Sequence, residues 1–141
     1  RNAGFSRCAP SRLYAPVIMD PIYSYSAVNV EVQDSDPSSL LNFMRRLIRV
    51  RKEYPAFGSG SLRFFFAENK RIMALMREYE GERLLCVFNL ANSCQYAMLE
   101  IQELAGCVPH ELIDGAVFPP IGELPYLLTF RPHGFYLFKL E

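Results

Sequence analysis

A change of period at residue 61 constrains the fold more than any other feature of this chain. From there onward, short runs of aromatic, β-branched and Leu/Met residues recur, each closed by a turn-like break. The runs are Leu62–Glu68, Arg71–Tyr79, Arg83–Leu90, Gln95–Ile101, Val108–Ile113, Tyr126–Arg131 and Phe135–Leu140. Breaks fall at Glu68-Asn69-Lys70, Glu80-Gly81-Glu82, Ala91-Asn92-Ser93, Asp114-Gly115 and Pro132-His133-Gly134. Such spacing predicts an antiparallel sandwich or Greek-key sheet. Side chains alternate along a strand, so Leu85 and Val87 share one face, as do Tyr136 and Phe138. Alternation alone leaves open which face is the core.

The stretch before residue 61 behaves differently. Residues 37–54 predict a helix: Asp36 suits the N-cap, Pro37 the first helical position, and Pro55 the stop. Leu40, Leu41, Met44, Leu47 and Ile48 recur at helical spacing and form one apolar stripe. Arg45, Arg46, Arg49, Arg51 and Lys52 gather toward the C-terminal half, where cations complement the helix dipole. Residues 1–36 show no period, are interrupted by Pro10, Pro16 and Pro21, and carry the rings of Phe5, Tyr14, Tyr23 and Tyr25. They read as ordered loop, with Ala27–Gln33 as a short extended segment. Phe57-Gly58-Ser59-Gly60 reads as a hinge, giving two expected domains, 1–57 and 58–141.

Basic and acidic residues balance at 15 each, which argues against nucleic acid as a partner. No apolar run approaches the roughly 20 residues of a membrane-spanning helix, so no membrane partner is expected. The first residue is Arg1, and a signal-peptide order is absent, so the chain is expected to begin inside a longer polypeptide. Cys8, Cys86, Cys94 and Cys107 form no CxxC pair and no zinc-ligand spacing, and read as reduced thiols of a cytoplasmic protein. Cys86, in an apolar run, reads as a small core residue.

Chemistry is sparse. There is no nucleophile elbow, no phosphate or dinucleotide loop and no metal set, so neither a cofactor nor a metal is expected. Asp34 and Asp36 flank a helix start, Glu78, Glu80 and Glu82 crowd a hairpin tip, and Asp114 and Asp20 sit in turns. None of these makes an acid–base pair, and no catalytic residue is assigned. Tyr14, Tyr23 and Tyr25 have faces that stack on sugar rings, or that pack the loop onto a neighbouring domain.

Several segments together carry a resemblance. Arg1-Asn2-Ala3-Gly4-Phe5-Ser6 is similar to the end of the QW-(S/D)-x-x-x-NAGFS loop of α-amylase-superfamily glucosidases and trehalose synthases. Leu13-Tyr14 with Pro16-Val17-Ile18-Met19-Asp20-Pro21, Tyr23, Tyr25 and Ala27-Val28-Asn29-Val30-Glu31 is more particular to trehalose synthases. So are Asp36-Pro37-Ser38-Ser39-Leu40-Leu41-Asn42 with Met44-Arg45-Arg46-Leu47-Ile48, and Pro119-Pro120-Ile121-Gly122-Glu123-Leu124-Pro125-Tyr126. Nearly the whole chain thus resembles the C-terminal part of the trehalose synthase family, in glycoside hydrolase family 13.

The resemblance implies a catalytic (β/α)8 barrel followed by an antiparallel β domain. Such enzymes convert maltose to trehalose through a covalent glucosyl-enzyme intermediate, and their Asp nucleophile, Glu acid/base and third Asp lie upstream of the NAGFS loop. On this mapping residues 1–36 are the loop after the last barrel strand, 37–54 the last barrel helix, and the rest a β domain that stabilises the barrel. Arg1, Asn2 and Phe5 become the substrate-side residues. The missing barrel is the implied partner. Without it the stripe at Leu40, Leu41, Met44, Leu47 and Ile48 is expected to re-pack on the β domain or pair with a second copy. The alternatives are a carbohydrate-binding module or the tail of a related α-glucosidase or α-amylase.

Overall fold

A computed structural model describes residues 2–4 and 6–141, and these fall into two compact units, one up to Arg46 and one over Leu47–Glu141. The seam lies inside a helix.

The second unit contains seven strands: β1 (Ser61–Phe65), β2 (Ile72–Tyr79), β3 (Glu82–Asn89), β4 (Gln95–Leu99), β5 (Pro109–Glu111), β6 (Tyr126–Phe130) and β7 (Phe135–Leu140). They form an antiparallel five-stranded sheet in the order β1-β2-β3-β7-β5 and a two-stranded sheet, β4-β6. The mainly-β antiparallel expectation holds, and β7 has the bounds that alternation predicts. The β2–β3 hairpin pairs Tyr79 with Glu82 across Glu80-Gly81. Both turn residues have positive φ, 48° and 87°, the handedness that matches strand twist.

One core lies between the sheets. Met76, Leu85, Val87 and Phe138 from the larger sheet meet Ala97, Leu99, Leu128 and Phe130 from the smaller. Phe138 is the centre of a ring cluster, with Phe118 at 4.9 Å and Tyr136 at 5.4 Å between centroids. Leu85, Val87, Tyr136 and Phe138 therefore point inward, settling the face that alternation left open. Cys86 and Leu137, one residue out of phase, point to the opposite face. There they pack with Val50, Leu47, Tyr54 and Phe57. Strand β3 thus buries four successive residues, Leu84 to Val87.

Leu47 and Val50 belong to α2 (Leu40–Glu53), Phe57 to the short α3 (Ala56–Ser59), and Tyr54 lies between the two helices. The expected hinge at Gly58-Ser59-Gly60 is instead a clamped corner. Arg77 donates from Nε to the Ala56 carbonyl at 3.0 Å and from a terminal nitrogen to that of Phe57 at 3.2 Å. Glu82 accepts from the Ala56 N–H at 2.8 Å. A Cβ on Gly60 would sit 2.6 Å from the Ala56 carbonyl oxygen and 2.9 Å from that of Glu78. The small residue is there because two backbones meet, not because the chain must bend freely.

In the first unit the expected extended segment is partly a helix, α1 (Val30–Ser35). Asn29 caps it, accepting from the Val32 N–H at 2.9 Å. One strong cap overrides the strand preference of three valines. Helix α2 begins at Leu40 rather than 37. Ser39 is its cap, accepting from the Asn42 N–H at 3.2 Å, while the Gln33 amide oxygen takes the Leu41 N–H at 3.1 Å. Asp36 forms a turn instead, accepting from the Ser38 N–H at 2.9 Å. Three α-helices, rather than one, precede the strands among the described residues, with two short 3-10 turns before them.

Candidate functional site

Of the residues placed on the substrate side, Arg1 and Phe5 lie outside the described residues. Asn2 is buried, and its side-chain amide donates to the Cys8 carbonyl at 3.0 Å. With Ala3 and Gly4 it forms three successive left-handed residues, φ 51°, 56° and 84°, so the amide is committed to its own loop. Tyr14, Tyr23 and Tyr25 are all solvent-exposed. Asp20 organises the turn that carries Tyr23, accepting from the Ile22 and Tyr23 N–H groups at 2.8 and 3.1 Å. No ring contact joins the three tyrosines among the described residues.

Several carboxylates are engaged in architecture. Asp34 pairs with Arg45, and Glu103 with Arg63. Glu111, buried, accepts from the Ile113 and Asp114 N–H groups at 2.8 and 2.6 Å. Glu141 accepts from the Lys139 ammonium at 2.6 Å. That hydrogen bond holds Lys139 above its ordinary pKa and Glu141 below. Among the described residues no group of three or more His, Cys, Asp or Glu is poised around a metal position. Glu82, placed at a hairpin tip by the sequence, reaches 26 residues back to Ala56. No local signal announces a contact of that separation.

All four thiols are free. Burial pushes the Cys86 thiol up to about 12, with the nearby Arg77 cation opposing. Burial also raises Tyr126, whose hydroxyl donates to the Pro119 carbonyl at 2.7 Å. This bond ties down the Pro119-Pro120 loop. No helix is long and apolar enough to cross a membrane among the described residues.

Apolar side chains are also exposed on α2 and beside it. Of the predicted stripe, Leu41 and Leu47 are half-buried, whereas Leu40, Met44 and Ile48 are 68%, 44% and 48% exposed. They recur at one-turn spacing along the helix. Leu47 and the unforeseen Val50 turn to the sheet. Where they meet it, a cleft of about 360 Å³ opens, lined by Leu47, Val50 and Arg51 of α2, Phe57 of α3, Phe88 of β3, and Phe135 and Leu137 of β7. Phe88 and Phe135 stack at 6.1 Å along its floor. On the same face of the sheet, cross-strand pairing sets Leu62 opposite Arg77 and Phe64 opposite Leu75; Leu62 and Phe64 are 52% and 62% exposed.

Residues 62–137 match the family model for the maltogenic amylase C-terminal domain. The trehalose synthase of Pimelobacter sp. (strain R48) is 45% identical over 99% of this chain and 25% of its own length. The trehalose synthase/amylase TreS of Mycobacterium tuberculosis (strain ATCC 25618 / H37Rv) is 44% identical over 99% of the chain and 24% of its own length. Among solved structures, the trehalulose synthase MutB of Pseudomonas mesoacidophila MX-45 superposes with a TM-score of 0.64 at 28% identity, covering 86% of this chain and 21% of that one. The chain spans about a quarter of the length of the trehalose synthases named here. With more than half its residues inside the family model and an antiparallel two-sheet fold to match, the chain belongs to the maltogenic amylase C-terminal domain family of the α-amylase superfamily.

Proposed function

We propose that this chain is the non-catalytic C-terminal part of a trehalose synthase, and that its β domain stabilises the catalytic barrel of the parent protein. The parent interconverts maltose and trehalose by intramolecular glucosyl transfer in a cytoplasmic setting. The observation that carries this reading is the 45% identity to a trehalose synthase along almost the entire chain, against a quarter of that relative's length. Relatives of other specificity are more distant: the probable oligo-1,6-glucosidase 2 of Bacillus subtilis is 29% identical. A retaining reaction needs two carboxyl groups about 5–5.5 Å apart across the glycosidic bond. The carboxylates described above are instead occupied with turns, caps and ion pairs. The purified 141-residue chain is expected to leave maltose unchanged, whereas the full-length parent converts it to trehalose. Reproducible trehalose formation by the chain alone would overturn the assignment.

A second reading, a carbohydrate-binding module, is favoured by one observation: Tyr14 and Tyr23 are 107% and 68% exposed, and Tyr25 follows in the same loop. Calorimetric titration with maltose separates the two. The support role predicts no heat of binding, and the module predicts heat that is lost in Tyr23→Ala.

A further inference from the structure

We infer that the cleft between α2 and the five-stranded sheet receives an apolar side chain with a carboxylate beside it, supplied by the upstream region of the parent polypeptide. This rests on the support role proposed above and names the surface through which it acts. The floor and walls of the cleft are wholly apolar, from Leu47, Val50, Phe57, Phe88, Phe135 and Leu137. Its single charged group is Arg51, which is exposed and forms no hydrogen bond or ion pair among the described residues. An apolar seat with one unneutralised guanidinium at the rim is complementary to an apolar anchor followed by Asp or Glu. Sugars fit it poorly, because a bound sugar needs several polar partners and the cleft offers one.

The upstream region is the favoured occupant because the chain covers only 25% of the Pimelobacter trehalose synthase and 21% of the MutB chain. About three quarters of such a protein lies outside these residues. Ile48 on the same helix as Leu47 and Val50, and Leu62 and Phe64 on the same face of the sheet, are exposed as well, so the apolar surface offered to that region extends beyond the cleft.

The test uses the full-length protein that contains this chain, with photoreactive benzoylphenylalanine placed at position 57. Irradiation followed by mass spectrometry is expected to join position 57 to an upstream peptide bearing a large apolar residue next to Asp or Glu. Adding Arg51→Glu should lower the yield about tenfold, while Arg51→Lys retains most of it. A crosslink between two copies, or an upstream crosslink unchanged by Arg51→Glu, overturns the inference. So does the absence of any crosslink in protein that still converts maltose to trehalose. Full-length protein inactive on maltose defeats the proposed function instead, whatever the crosslinks show.

Discussion

Arg77 donates from Nε to the carbonyl of Ala56 at 3.0 Å, tying the corner after α2 to the second strand of the sheet. A second bond from the same guanidinium, to Phe57 at 3.2 Å, makes the tie two-pronged. Hydrogen bonds from a charged donor contribute about 1.5–3 kcal/mol each. Arg77→Met, which keeps the stem and removes both donors, is expected to destabilise the second unit by about 2–4 kcal/mol in urea titration. A loss below half a kcal/mol would show that the corner is held by packing alone.

Glu80 occupies the left-handed region at φ 48°, next to Gly81 at 87°. A side chain there carries a steric cost that Asn bears best among the non-glycine residues. Glu80→Asn is expected to stabilise by roughly 0.5–1 kcal/mol, read as a higher melting temperature. Gly81→Ala should move the melt the other way.

The ring cluster around Phe138 gives the largest single-residue effect. Phe138 is fully buried between Phe118 and Tyr136, and truncating such a ring costs about 3–5 kcal/mol. Phe138→Ala should therefore come close to unfolding the chain at room temperature. Phe64→Ala, at a ring 62% exposed, should stay within about 0.5 kcal/mol of the parent chain. Equal losses for the two would contradict the assignment of the core to the space between the sheets.

Cys86 sets an alkaline limit. Its thiol titrates near 12 when folded against an ordinary 9.0, so the native state keeps a proton that the unfolded chain releases. Stability is fully present below pH 9 and falls as pH climbs toward 12, by at most about 1.4 kcal/mol per unit. Tyr126, also raised by burial, acts in the same direction. Denaturant midpoints at pH 7.5 and 10.5 should diverge less in Cys86→Ala than in the parent chain. An identical pH slope in both removes Cys86 from the account.

The strands were readable because each is a short apolar run closed by a turn-like break. In β3, Leu85 and Val87 face one layer and Cys86 the other, yet the run is apolar throughout. Alternation does not tell the two faces of β3 apart, since both are buried. The extended reading of Ala27–Gln33 fails because Asn29, whose single cap bond starts α1, outweighs the strand preference of the valines. The stripe on α2 placed Leu47 correctly among packed residues and missed Val50, because the exposed Leu40, Met44 and Ile48 are equally periodic. Period identifies an apolar side, not which apolar side is covered. Arg77, Glu82 and the cleft beside Phe57 depend on residues tens of positions apart, which no periodicity encodes.

The seam inside α2 matters to anyone who would graft this module onto another protein. A splice at the glycines after Phe57 would look natural in the sequence, yet it strips Leu47, Val50 and Tyr54 from beneath the sheet and leaves Cys86 and Leu137 facing water. The transplantable piece begins in mid-helix. A recipient must therefore continue that helix in register rather than merely supply a tether.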